Sequence, residues 1–125
     1  MLFDLHVHSS MSPCSNLSLH DIIHQAPEKG LDGVCITDHD TMAAGQLLAE
    51  GVQDNGLVVI IGQEYTTRQE NFLLFGPYEN LPLGLSAAKV LNHVRATGGA
   101  AIGAHPLRNG RGVGRDLIRS GLCPI

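Results

Sequence analysis

Short apolar runs separated by polar, glycine-bearing turns alternate along this chain with segments of helical spacing. Residues 2–7 read as a buried strand. Ser18-Leu19-His20-Asp21 has the capping-box pattern of a helix start, and Leu19, Ile22, Ile23 and Ala26 continue it with a helical period until Pro27 and Gly30 close it. A second apolar strand is predicted over 33–37, leading into Asp38-His39-Asp40. A helix is predicted over about 41–53, with Ala44, Leu47, Leu48 and Val52 turned inward. The clearest strand, 57–61, lies between Asn55-Gly56 and Gly62-Gln63-Glu64. Residues 72–75 form another, bounded by Gly76-Pro77. Ser86 caps a helix in which Val90, Leu91 and Val94 share a face, ending at Thr97-Gly98-Gly99. A small apolar strand over 100–104 precedes His105-Pro106. Residues 108–115 read as a loop, 116–120 as a short helix and 122–125 as the start of one more strand.

Apolar strands alternating with amphipathic helices imply βαβ units and a largely parallel sheet, or the wall of a barrel. The 125 residues suit one domain over 1–125, and 43% hydrophobic with 16% charged residues is a globular composition. A formal charge of −4 leaves no electrostatic footprint for nucleic acid or an anionic membrane, so nucleic acid enters only as a substrate. Cys14, Cys35 and Cys123 make an odd, unpaired set, which argues against a disulfide framework and for a reducing cytoplasm. The expected location is cytoplasmic: the N-terminus lacks a signal-peptide pattern, and no apolar run has the length of a membrane span.

The chemistry concentrates at strand ends. His6 and His8 are two apart on the first strand, so their side chains point to one face. His39 follows the second strand, Glu64 the third and His105 the fifth. In a parallel sheet these ends converge on one rim, which gathers five dispersed ligands into one cluster. Four imidazoles and a carboxylate suit Zn, Mn or Fe better than Ca or Mg. Glu64 is suited to bridge two cations, and a dinuclear pair activates water and clamps a phosphoryl group. Asp38 and Asp40 either orient an imidazole or serve as acids at a helix N-terminus. Arg108 could bind a substrate phosphate or lie exposed, and Ser9, Ser10 and Ser12 could bond phosphate or shape a turn. His20 and His24 share a helical face without a third ligand and read as solvated; His93 reads as a surface or packing residue. No nucleophilic triad, phosphate-cradling glycine loop or zinc ribbon is present.

Asp4-Leu5-His6-Val7-His8-Ser9, then Gly30-Leu31-Asp32-Gly33 with Ile36-Thr37-Asp38-His39-Asp40-Thr41, then Ile61-Gly62-Gln63-Glu64 and Ala104-His105-Pro106 resemble the PHP family, named for polymerase and histidinol phosphatase. The resemblance implies a distorted (β/α)7 TIM-like barrel with two or three divalent metal ions and hydrolysis of phosphoesters. Its substrates would be phosphorylated small molecules, nucleotides or nucleic-acid ends. There are departures. Where the family often has Ser-Asp-Gly, this chain has Ser12-Pro13-Cys14, so Pro13 cannot ligate and Cys14 is a soft substitute. Asn71 stands where a histidine usually precedes the fourth strand, and the closing Ser-Asp-x-His segment is missing. The barrel is therefore expected to be incomplete in this chain, which favours homo-oligomerisation.

The leading expectation is a metal-dependent phosphoesterase. His6, His8, His39, Glu64 and His105 are its ligands, with Glu64 and His39 central to catalysis by metal-activated water. An amidohydrolase-type barrel also opens with His-x-His, but it needs a bridging lysine; Lys29 and Lys89 both fall on helical stretches. A non-catalytic metal-binding or assembly module is the third reading, favoured by Pro13, Asn71 and the absent ligands.

Overall fold

The computed structural model describes residues 1–68, 70–106 and 108, so the loop, helix and strand start expected beyond 108, and Cys123, lie outside the described residues. The chain divides into two compact units, Met1–Gln63 and Glu64–Ile125.

In the first unit, strands β1 (Phe3–Val7) and β2 (Gly33–His39) pair in parallel across helix α1 (Leu19–Glu28). Ser18 caps α1 by accepting the Asp21 N–H at 3.0 Å, and its hydroxyl donates to the Asp21 carboxylate at 2.7 Å. That hydroxyl holds the exposed Asp21 carboxyl below its ordinary range. Ile22 and Ala26 of α1 join Val34, Ile36, Ala44, Leu57, Val59 and Ile61 in one buried cluster. Cys35 is also buried here, and desolvation, with negative charge from Asp4 and Glu50, pushes its thiol up to about 11. It stays a protonated, unreactive thiol at neutral pH.

The helix expected over 41–53 does not form. Only a single 3-10 turn, Ala43–Gln46, stands there, followed by the short strand β3 (Gly51–Val52). Gly45 is a poor helix former and Gly51 has φ +111°, so the segment never recovers the cost of helix nucleation. Glu50 instead accepts the Ile61 N–H at 2.7 Å, and β3 pairs antiparallel with strand β4 (Val58–Thr66). Ala44 is buried as expected and Leu48 packs on the core, but Leu47 and Val52 are 69% and 74% exposed.

β4 runs across the boundary between the units and is longer than the apolar run 57–61, because Gln63, Glu64 and Tyr65 are themselves buried. In the second unit its last residues pair with strand β5 (Asn71–Phe75), which pairs antiparallel with strand β6 (Ala100–Gly103). Only residues 67–70 separate β4 from β5, and Thr67 N–H donates to the Glu70 carbonyl at 2.9 Å. A connection this short joins only antiparallel strands. The expectation of a largely parallel sheet is thus corrected to a mixed one: β1 and β2 pair in parallel, β3–β4 and β5–β6 pair antiparallel, and the short connection makes β4–β5 antiparallel as well. An intervening helix permits a parallel crossover without compelling it, and residues 76–85 give the chain room to turn back before helix α2 (Ala87–Thr97).

Ser86 caps α2, Gly98 ends it at φ +73°, and Val90, Leu91 and Val94 are buried as expected. Gly99 then passes against Tyr78, whose ring is 1% exposed and whose hydroxyl bonds Thr97 Oγ1 at 2.8 Å. A Cβ at Gly99 would overlap that hydroxyl and lie 2.8 Å from the Phe75 carbonyl oxygen. Gly99→Ala is expected to cost about 3 kcal/mol, because backbone cannot yield as a flexible side-chain tip does. Urea denaturation checks this. Gly33→Ala, whose Cβ would press first on the partly exposed Phe3 ring, is the milder comparison.

Candidate metal centre

In the first unit, β1 and β2 bring His6, His8 and His39 together. The register runs Phe3↔Gly33, Asp4↔Val34, Val7↔Ile36, so β1 carries one residue more than β2 between the last two pairs. This is a β-bulge, and the Asp4 carboxylate accepts the His6 N–H at 3.1 Å within it. His6, within the bulge, and His8, just past β1, hold their Nε2 atoms 3.0 Å apart. Two nitrogens each about 2.0–2.1 Å from one cation are separated by roughly 3.0–3.4 Å, so the pair is set as a chelate. His39, the last residue of β2, stacks on His8 with ring centroids 4.5 Å apart and planes 20° from parallel.

Beneath the histidines lies Asp38, 1% exposed. Its carboxylate accepts from Ser9 N–H at 2.7 Å, Ser9 Oγ at 2.7 Å and Ser12 Oγ at 2.6 Å. With its proton committed to Asp38, Ser12 Oγ is an acceptor for its other contacts, His39 N–H at 3.0 Å and His8 Nδ1 at 3.3 Å. His8 therefore carries its proton on Nδ1 and keeps the Nε2 lone pair for a cation. Asp38 thus orients an imidazole, but through Ser12 and not by direct contact. It is no helix N-terminal acid, since the helix is absent. Asp40 is half-buried with φ +51°.

Within the second unit, Glu64, Asn71 and His105 form a group of their own. The notion that Glu64 ends a strand is corrected, since it lies within β4 and is fully buried. Antiparallel pairing explains the grouping. The short connection leads from the end of β4 to Asn71 at the start of β5, and the β5–β6 ladder, extended by Ala104 N–H to the Asn71 carbonyl at 3.0 Å, brings the residues after β6 to the same end. Asn71 Nδ2 donates to Glu64 Oε1 at 2.9 Å, and His105 Nδ1 lies 3.6 Å from that oxygen. Asn71, an apparent departure in the sequence, positions the carboxylate. Its Oδ1 is buried without a hydrogen-bond partner among the described residues, an acceptor fit for a cation or its water. His105 adopts φ +47°, and Arg108, exposed, donates its N–H to the His105 carbonyl at 2.9 Å.

Asp4, Ser9 and Ser12 are the supporting residues that sequence reasoning left without a role, or with only a turn or phosphate contact. Nothing in strand periodicity marks them; the serines in the turn after His8 are the available signal. His20 and His24 are exposed on α1, with ring centroids 4.2 Å apart. His93 packs edge-on to Tyr78.

Imidazoles converging from neighbouring strand ends, with a tautomer held ready, define an α/β protein carrying a candidate metal centre. The chain belongs to the PHP family: residues 4–97 match the PHP domain, a span that stops short of His105. It is 31% identical over 116 residues to an uncharacterized protein of Methanocaldococcus jannaschii, covering 85% of this chain and 68% of that protein. Over 127 residues it is 32% identical to an error-prone DNA polymerase of Symbiobacterium thermophilum, covering 97% of this chain but 11% of the polymerase. Over 88 residues it is 34% identical to the phosphoribosyl 1,2-cyclic phosphate 1,2-diphosphodiesterase of Eggerthella lenta, covering 66% of this chain and 33% of that enzyme. No helix among the described residues is long and apolar enough to cross a membrane.

Proposed function

We propose that this chain is a metal-dependent phosphoesterase acting on a phosphomonoester or phosphodiester of a small molecule or nucleotide. His6, His8, His39, Glu64 and His105 would hold two or three divalent ions, Zn, Mn or Fe, within the (β/α)7 barrel of the family. The observation that carries the reading is the His6–His8 nitrogen pair at 3.0 Å, with the His8 tautomer set through Ser12 and Asp38. The PHP match and a diphosphodiesterase among the relatives supply the reaction class.

When bound, the ions would lower the pKa of water and offset charge on the phosphoryl oxygens. The chain's own part is to hold the ligands in place. Asp38 and Ser12 fix His8, Asp4 shapes the backbone at His6, and Asn71 orients Glu64. The test is to strip the protein of metal, reload it with Mn or Zn, and assay phosphomonoesters and cyclic and linear phosphodiesters. Turnover that appears on reloading and vanishes with chelator is expected. Metal retention without turnover on any phosphoester would favour a binding module.

A further inference from the structure

Cys14 is exposed and unbridged, yet the fold does not leave it loose. Residues 9–15 are wound back onto β1: Ser12 N–H donates to the Ser9 carbonyl at 3.0 Å, Ser15 N–H to the Ser12 carbonyl at 3.2 Å, and Ser15 Oγ to the His8 carbonyl at 2.9 Å. Pro13 stiffens the same turn. Its neighbour Cys14 is thereby presented to the imidazoles, and ligand atoms of His8, Cys14 and His39 all lie within 4.8 Å of one another. Tetrahedral ligands around zinc stand roughly 3.3–3.6 Å apart, so about an ångström of closure, available to an exposed side chain, completes the arrangement.

We propose that Cys14 is a metal ligand, joining His39 on the one cation that His8 Nε2 holds, and that this thiolate-containing position prefers zinc to manganese or magnesium. This rests on the reading that the histidine cluster holds cations, and it adds which cation this part of the cluster selects. A thiolate with two imidazoles is a soft donor set, whereas manganese and magnesium favour oxygen. On binding, the Cys14 S–H bond breaks, the proton passes to solvent and the sulfur lone pair forms the bond to the ion. Cys35 does not compete, because it is enclosed in β2 with its thiol held protonated.

The experiment titrates the metal-free chain with cobalt(II) as a spectroscopic stand-in for zinc. A near-ultraviolet thiolate-to-cobalt charge-transfer band is expected in the wild type and in Cys123→Ser. It should be lost in Cys14→Ser, while the visible bands of nitrogen- and oxygen-bound cobalt persist. Zinc should protect Cys14 from alkylation, and Cys14→Ser should lower the zinc-over-manganese preference by about ten-fold or more. Cobalt bound with no charge-transfer band, or a band that survives in Cys14→Ser, overturns the Cys14 assignment and leaves the phosphoesterase reading standing. Failure to bind cobalt or zinc at all overturns both.

Discussion

Replacing Glu64 with alanine is expected to lower phosphoesterase turnover by about a thousand-fold or more and to reduce the metal retained after gel filtration. Loss of a carboxylate that stabilises cations, and through them transition-state charge, is worth several kcal/mol in a site of this kind. Glu64 is fully buried, so the substitution also leaves the Asn71 amide facing an empty space where its acceptor was. Glu64→Gln separates the effects, because it keeps the shape and an acceptor for Asn71 while removing the charge. If charge is what matters, the glutamine variant should be nearly as inactive as alanine yet denature close to wild type in urea. His6→Ala should lose metal and turnover as well, without that packing loss. Full metal content and turnover in these variants would remove them from the site.

The strands and caps that led to this site were legible because they depend on neighbours in sequence. Ser18 and Ser86 cap helices through side chains three residues from their targets, and Val90, Leu91 and Val94 share a face by helical geometry alone. What was hidden depends on partners distant in sequence. The bulge in β1 arises from its register against β2, and the run 41–53 is decided by the pull of Glu50 and β3 toward β4. The sequence groups Glu64 with His105 but sets Asn71 aside as a departure. A common rim of parallel strand ends is the route that the sequence suggests, whereas the short β4–β5 connection and the antiparallel β5–β6 ladder bring Glu64, Asn71 and His105 together. Asn71 looked like a lost ligand because an amide is judged by what it cannot coordinate, not by the carboxylate that it can hold.

Asp38→Ala is expected to destabilise the first unit by about 4 kcal/mol and to weaken metal binding together with it. The Asp38 carboxylate, 1% exposed, is the acceptor for Ser9 N–H, Ser9 Oγ and Ser12 Oγ. Hydrogen bonds to a charged group contribute about 1.5–3 kcal/mol each, though not additively, and donors left buried without an acceptor carry a further penalty. Alanine removes every one of these acceptors at once, which places the loss at the upper end for a single substitution. The functional consequence follows from Ser12. Without Asp38 its hydroxyl can turn its proton toward His8 Nδ1, which favours the tautomer whose Nε2 is protonated and cannot ligate. Ser12→Ala separates that second effect from the loss of the Ser9 bonds, since it leaves Ser9 bonded to Asp38 and removes the relay together with the acceptor of the His39 N–H. It is expected to cost about 1–2 kcal/mol of stability but about 10–100-fold in metal affinity. Nitrogen-15 chemical shifts of the His8 ring report the tautomer directly, independent of any assay. An unchanged Nδ1–H tautomer in Ser12→Ala, with unchanged metal affinity, would show that the rings of His6 and His39 fix His8 without the serine.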